Sequence, residues 1–187
     1  MPDRSSRINL FAFLWGVAEG SLFFIVPDVI LTYAVVRFGF KAGVRLAVVA
    51  AAAASIAGIA MWLWGRNDPA TAQHVMLLVP AIGPDQIART TREMAGFWPL
   101  NLILGAVTGV PYKLYAVAAG AQGIALFWFV PASFVARLLR FLFSAGLTSV
   151  GVEIFDRFGR RNWAFAVLTV GWVLLYTVYF SLRAVAG

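Results

Sequence analysis

Five ionisable residues stand inside apolar stretches of this chain: Glu19 and Asp28 early, Lys113, Arg137 and Arg140 in the second half. Lys113 follows Pro111 by two residues. Proline suits the first position of a helix, which puts Lys113 in a first turn, where the positive end of the helix dipole repels a cation. That placement becomes favourable when an anion binds between the two. Arg137 and Arg140, three apart, share one helical face. Their planar guanidinium groups suit bidentate phosphate binding, and a lysine adds a point charge. Together the three predict a pocket for an anion of the phosphate class. Each also has a plainer reading: Lys113 as a lysine snorkelling to an interface, the arginines as the cytoplasmic end of a short span.

The two acids carry the opposite sign. A carboxylate at the centre of a bilayer costs on the order of 2.5–3.5 kcal/mol by insertion scales, and such residues commonly mark proton or substrate paths. Glu19 and Asp28 are therefore candidate proton or coupling groups. The alternatives are a helix cap for Asp28 after Pro27 and a structural ion pair with an arginine for Glu19. The opposite charges suggest a mechanism. The basic trio would neutralise a phosphate-class anion, and the acids pair with the trio when it is empty or exchange protons as the anion passes.

These residues need a membrane-type scaffold. Of 187 residues, 61% are hydrophobic and 12% charged, with a mean hydropathy of +0.84. Soluble domains carry about 25% charged residues. The expected fold class is an all-α integral membrane protein forming a single membrane domain over residues 1–187. The net charge of +7 comes from scattered basic residues between apolar segments, the pattern that topology produces, so no nucleic-acid partner is expected. With no cysteine, disulfides and thiol chemistry are excluded. The N-terminal apolar run resembles a signal peptide but lacks a convincing cleavage site before Glu19, and is expected to be retained.

Residues 8–36 are interrupted by Gly16, Gly20 and Pro27, which predicts a broken helix or re-entrant hairpin whose break near Phe24–Pro27 faces the bundle interior. Val44–Trp64 is a clear span with a small-residue face. Gly65–Pro69 reads as a turn, and Asp85 to Glu93 as an interfacial helix. Residues 97–120, broken at Gly105, Gly109 and Pro111, form a second expected hairpin with Gly109, Pro111 and Tyr112 at its tip, as Pro27 is at the first. Further spans are expected at 121–145, ending at Gly146, and at 162–182, with Trp163, Trp172, Tyr176 and Tyr179 as interface anchors.

With both hairpins returning to their side of entry, about three full spans remain. The N-terminus, 37–45 and 157–161 then share one side. That side holds Arg4, Arg7, Arg37, Lys41, Arg45, Arg157, Arg160 and Arg161, against Arg66, Arg89, Arg92 and Arg183 opposite. The richer side is expected to be cytoplasmic. The hairpins enter from opposite faces, which makes an inverted repeat of about 8–64 and 97–145, and paired broken segments of this kind point to a transport site at the repeat interface.

Glu19-Gly-Ser-Leu-Phe-Phe-Ile-Val-Pro27-Asp28 resembles the first signature of the DedA, or VTT-domain (SNARE-associated), membrane proteins. Thr108-Gly-Val-Pro-Tyr-Lys113, Ala118-Ala-Gly120 and Arg137-Leu-Leu-Arg140-Phe141 resemble its YqaA-like branch, over roughly residues 16–150. Phe24, Val26 and Gly109 stand where the family has prolines, and Leu138 where it has glycine. The resemblance implies two opposed re-entrant hairpins and transport or scrambling of phospholipid or undecaprenyl phosphate in a bacterial cytoplasmic membrane, often tied to the proton gradient. Membrane lipids with anionic headgroups are the expected partners, with a homo-oligomer also compatible.

His74 is read as a solvated loop residue without metal-ligand spacing to a partner. Gly16/Gly20, Gly39/Gly43 and Gly105/Gly109 fit close helix packing. No phosphate loop, nucleophile elbow or zincin motif is present, so no enzyme, cofactor or metal is expected. Two rival functions stay open: a proton- or ion-coupled transporter of small solutes, and a non-transporting membrane scaffold.

Overall fold

The computed structural model describes residues 4–21, 26–79 and 82–186, which contain helices and no strand. At its centre lies α3 (Phe40–Asn67), whose 28 residues extend about 42 Å at 1.5 Å per residue. Its small residues have a direct consequence. Ala50, Ala51, Ala53, Ala54, Ala57 and Gly58 are all buried, because short side chains let neighbouring backbones come close.

The earlier helices pack on this face. In α1 (Arg4–Gly20), Gly16 rests on Ala50 and Ala53, and Gly20 on Ala54 and Ala57. Rising numbers on both helices mean that α1 runs parallel to α3 and ends beside its midpoint. The chain then turns back into α2 (Asp28–Phe38), and Gly39, at φ 87°, turns it again into α3. Val35 meets Gly43, so α2 is antiparallel to α3.

The later helices approach from the other end. In α7 (Tyr112–Ala121), Tyr112 lies over Gly58, Val117 against Gly65, and Gly120 against Trp62 and Arg66. Thus α7 starts at the midpoint of α3 and runs parallel to it. Before it, α6 (Trp98–Thr108) folds back alongside, with Gly105 beneath Tyr115. α8 (Leu126–Arg157) runs antiparallel to α3: Trp62 Nε1 donates to the Ile124 carbonyl at 2.9 Å, and Ala145 meets Gly43. α9 (Arg161–Ala186) returns along α2, with Trp172 Nε1 donating to Thr32 Oγ1 at 3.0 Å and the Val26 N–H to Tyr176 Oη at 3.1 Å.

Two short helices close the Asn67 end. Asp68 accepts the Thr71 N–H at 3.0 Å and caps α4 (Pro69–Leu78). The amphipathic α5 (Pro84–Ala95) is clamped to the core: Tyr115 Oη donates to Glu93, Asn101 Nδ2 to the Glu93 carbonyl at 2.7 Å, and Gln122 Nε2 to the Thr91 carbonyl at 2.7 Å. These directions put Arg37, Lys41, Arg45, Arg157 and Arg160 at one end of the bundle and Arg66, Arg89 and Arg92 at the other.

Several expectations are corrected. α3 runs through Gly65 to Asn67, so the turn begins only at Asp68. His74 sits on α4, in a groove of about 720 Å³ against α5 that it lines with Gln73 and Arg92. The span expected from residue 121 starts at Leu126, after a turn in which Gly123 has φ 70°. It continues through Gly146 because that glycine keeps helical geometry with nothing packed against it. The helix stops at Gly159, whose φ of 65° lets Arg160 N–H reach back to the Phe155 carbonyl at 2.9 Å. Gly39 and Gly109 are turn residues rather than packing residues. Trp172 and Tyr176 tie α9 to the first helical pair, while the Tyr179 side chain and residues 22–25 lie outside the description. Two helices, Phe40–Asn67 and Leu126–Arg157, are long and apolar enough to cross a membrane, and α9 carries a shorter apolar stretch, Trp163–Val178.

Two measurements test this packing. A Cβ at Gly65 would strike the Val117 backbone, which cannot yield, whereas one at Gly171 meets open space. Gly65→Ala should destabilise the protein by about 1–3 kcal/mol in detergent unfolding, and Gly171→Ala should be neutral or stabilising. Burial pushes the Glu93 carboxyl up, but the Tyr115 hydroxyl and Arg89 outweigh it, so its pKa falls below the usual 4.5. Its contribution is therefore present above about pH 4.5 and lost as pH falls through the lower folded-state value. Proteolysis at α5 should increase in acid below that value, and Tyr115→Phe should flatten the dependence.

Candidate functional site

The midpoint of α3 is where the two broken segments meet. Gly20 ends α1 beside Ala54 and Ala57, and Tyr112 starts α7 over Gly58. Each break exposes helix-terminal groups, because the last carbonyls and first N–H groups of a helix have no partner within it. At the second break, Gly109 takes a left-handed φ of 83° and Pro111 an extended ψ of 122°, with the Val110 N–H closing on the Gly105 carbonyl at 3.0 Å.

All five charged candidates gather in this layer. Glu19 is the penultimate residue of α1, Asp28 the first of α2 and Lys113 the second of α7; Arg137 and Arg140 lie mid-way along α8. Glu19 is 5%, Asp28 3%, Lys113 3% and Arg137 1% exposed, while the Arg140 side chain keeps 19%. The arginines therefore point inward and do not form the end of a short span.

Arg137 Nη2 donates to Glu19 Oε2. Its guanidinium lies 5.3 Å from the Tyr112 ring centroid and 4.8 Å from that of Phe141, so two aromatic faces share in offsetting its charge. Arg140 divides its donors between the two broken segments. Nη2 lies 3.3 Å from Asp28 Oδ2, and Nη1 donates to the Ala106 carbonyl at 3.0 Å. That carbonyl belongs to the last turn of α6, so an otherwise unused acceptor is taken up. Ser144 Oγ donates to the other oxygen of Asp28. Asp28 is thus not a cap: Pro27 occupies the cap position and the carboxylate serves α8.

The sequence reading missed Ser133 and Ser144. With Arg137 and Arg140 they recur at spacings of four, three and four, a polar stripe on an otherwise apolar helix, and that spacing was the available signal. Tyr112, expected as a tip residue, also stacks on Phe129, with centroids 6.3 Å apart. Lys113 is buried in the same layer, within electrostatic reach of Glu19 and Arg137. Among the described residues no group of His, Cys, Asp and Glu is arranged to hold a metal.

No protein-family profile matches the chain. A curated relative, an uncharacterized protein of Haemophilus influenzae, is 28% identical over 169 residues, covering 87% of this chain and 83% of the relative. No solved structure matches.

A double-mutant cycle checks the Glu19–Arg137 pair. Removing one partner of a buried ion pair costs about 3–5 kcal/mol, because the other charge is stranded. Arg137→Gln should therefore destabilise the protein severely, and adding Glu19→Gln should recover much of the loss. Additive effects would show that the two do not interact.

Proposed function

We propose that this chain is an integral membrane protein of the DedA-like kind that moves phosphate-bearing lipid headgroups, phospholipid or undecaprenyl phosphate, across a bacterial cytoplasmic membrane. The observation that carries the reading is the pair of ion pairs, Glu19–Arg137 and Asp28–Arg140, buried where two broken segments meet from opposite ends of α3.

A bilayer setting is supported by where the large apolar side chains point. Phe127, Trp128, Phe143, Leu147, Val170 and Leu174 are exposed while Glu19, Asp28, Lys113 and Arg137 are buried, the inverse of a water-facing surface. α3, about 42 Å long, exceeds the roughly 30 Å of hydrocarbon it would cross. On this reading α1–α2 and α6–α7 are re-entrant hairpins entering from opposite faces, with tips at the midplane, α3, α8 and α9 cross, and α5 lies at an interface. Irregular backbone at that depth is tolerated because protein covers it: Pro27 and Tyr112 are both buried.

The mechanism follows from exchange. In the resting arrangement each carboxylate stands in for the phosphate on its arginine. A headgroup entering past the half-open Arg140 displaces Asp28, then Glu19, and the freed acids take up protons or pair elsewhere until it leaves. Lys113 adds positive charge at an α7 N-terminus already favourable to anions. The acyl tails stay in the bilayer.

The test is movement of fluorescent phospholipid and of a phosphorylated polyprenol in proteoliposomes, across pH gradients. The parent should move at least one of them. Glu19→Gln and Arg140→Ala should slow it by roughly tenfold or more, the scale of one charge-assisted hydrogen bond. No movement by the parent, or equal rates in all three, would overturn the reading.

A further inference from the structure

Three polar atoms in the charged layer are buried and lack a hydrogen-bond partner among the described residues: Tyr112 Oη, Ser133 Oγ and Arg137 Nε. A buried polar group left unpaired costs about 1–3 kcal/mol, so three in one place need an explanation.

They are one cluster. Phe129, Ser133 and Arg137 lie four residues apart on α8 and so line one face. Tyr112 stacks on the first of them and lies beneath the guanidinium of the last. The Tyr112 and Ser133 hydroxyls are close enough to interact with each other, although neither completes a hydrogen bond. Tyr112 Oη is held from the other side by α3, where only a glycine, Gly58, leaves room for it.

The guanidinium Nε–H only donates, and each hydroxyl has one proton to give as well as lone pairs that accept. The one acceptor bonded to this guanidinium, Glu19, is engaged at Nη2 and leaves Nε unused. A buried cluster with these donors to spare suits an oxyanion, which accepts at each of its oxygens.

We propose that Tyr112 and Ser133, with Arg137 Nε, form a neutral-donor subsite for the non-bridging oxygens of a phosphate-class ligand. This rests on the function proposed above and adds two uncharged specificity residues to it. Arg137 supplies charge and one direction, and the hydroxyls supply two more, so the subsite recognises a tetrahedral oxyanion rather than negative charge alone. Selection over a carboxylate follows, since a planar acceptor reaches fewer of the three donors.

The experiment uses the full chain in detergent, with a short-chain phosphatidic acid as probe, the matching fatty acid as carboxylate control and the matching diacylglycerol as phosphate-free control. Binding and thermal unfolding are measured for the parent, Tyr112→Phe and Ser133→Ala. Each variant should bind the phosphatidic acid roughly tenfold more weakly and lose preference over the fatty acid. Its melting temperature should be unchanged or higher, because it removes a buried atom that has no partner. Parent-like affinity and preference in both variants would overturn the subsite while leaving the proposed function standing, as would lowered stability in both with affinity kept. A parent that binds neither anion better than the diacylglycerol would overturn both.

Discussion

An arginine buried to 1% exposure must have its charge met, and the arrangement around Arg137 follows from that requirement. Glu19 must reach it from α1, so α1 must end at the level of mid-α8. Tyr112 and Phe141 must present their faces, so α7 must begin there as well. Arg140, one turn further on, extends the demand to Asp28 and to the Ala106 carbonyl. The two broken segments are thereby joined through a single helix. Neither breaks at random: each stops where α8 offers a cation.

Such convergence is possible only because α3 is thin. Its alanines and Gly58 let α1 and α7 approach so closely that Gly16, Gly20, Gly65 and Gly120 have no room for a Cβ. A bulkier α3 would hold the termini of α1 and α7 apart and leave the charges unpaired. Packing and electrostatics therefore support each other, which fits a site whose stability and binding competence draw on the same residues. In the proposed function this is the source of the exchange, since an ion pair that stabilises the resting fold is also what a phosphate must replace.

Much of this was legible in the residues. Glycine and proline breaks at 20–27 and 109–111 placed the helix ends closely, because those residue types set backbone geometry directly. The charges stood out against an apolar background, and their signs foretold the pairing. What could not be read was which acid met which arginine, since that depends on the helical phase of α1 and α2 against α8. The length of α8 was misjudged because glycine is tolerated in a packed helix, and only the left-handed φ at Gly159 ends it. His74, Trp172 and Tyr176 were placed by composition, but their positions follow from tertiary contacts. Ser133 and Ser144 look innocuous singly and carry meaning only as a stripe with the arginines.

In the proposed function the two breaks meet at the bilayer midplane, and depth is what tests it. The chain has no cysteine, so single cysteines at Ser21 and Thr108 can carry a bimane label without background. Quenching by lipids brominated at successive acyl positions then reports the depth of each label. The account predicts that both labels are quenched best by bromines near the chain ends, at the centre of the bilayer. Strongest quenching of either label by bromines near the headgroups would contradict it.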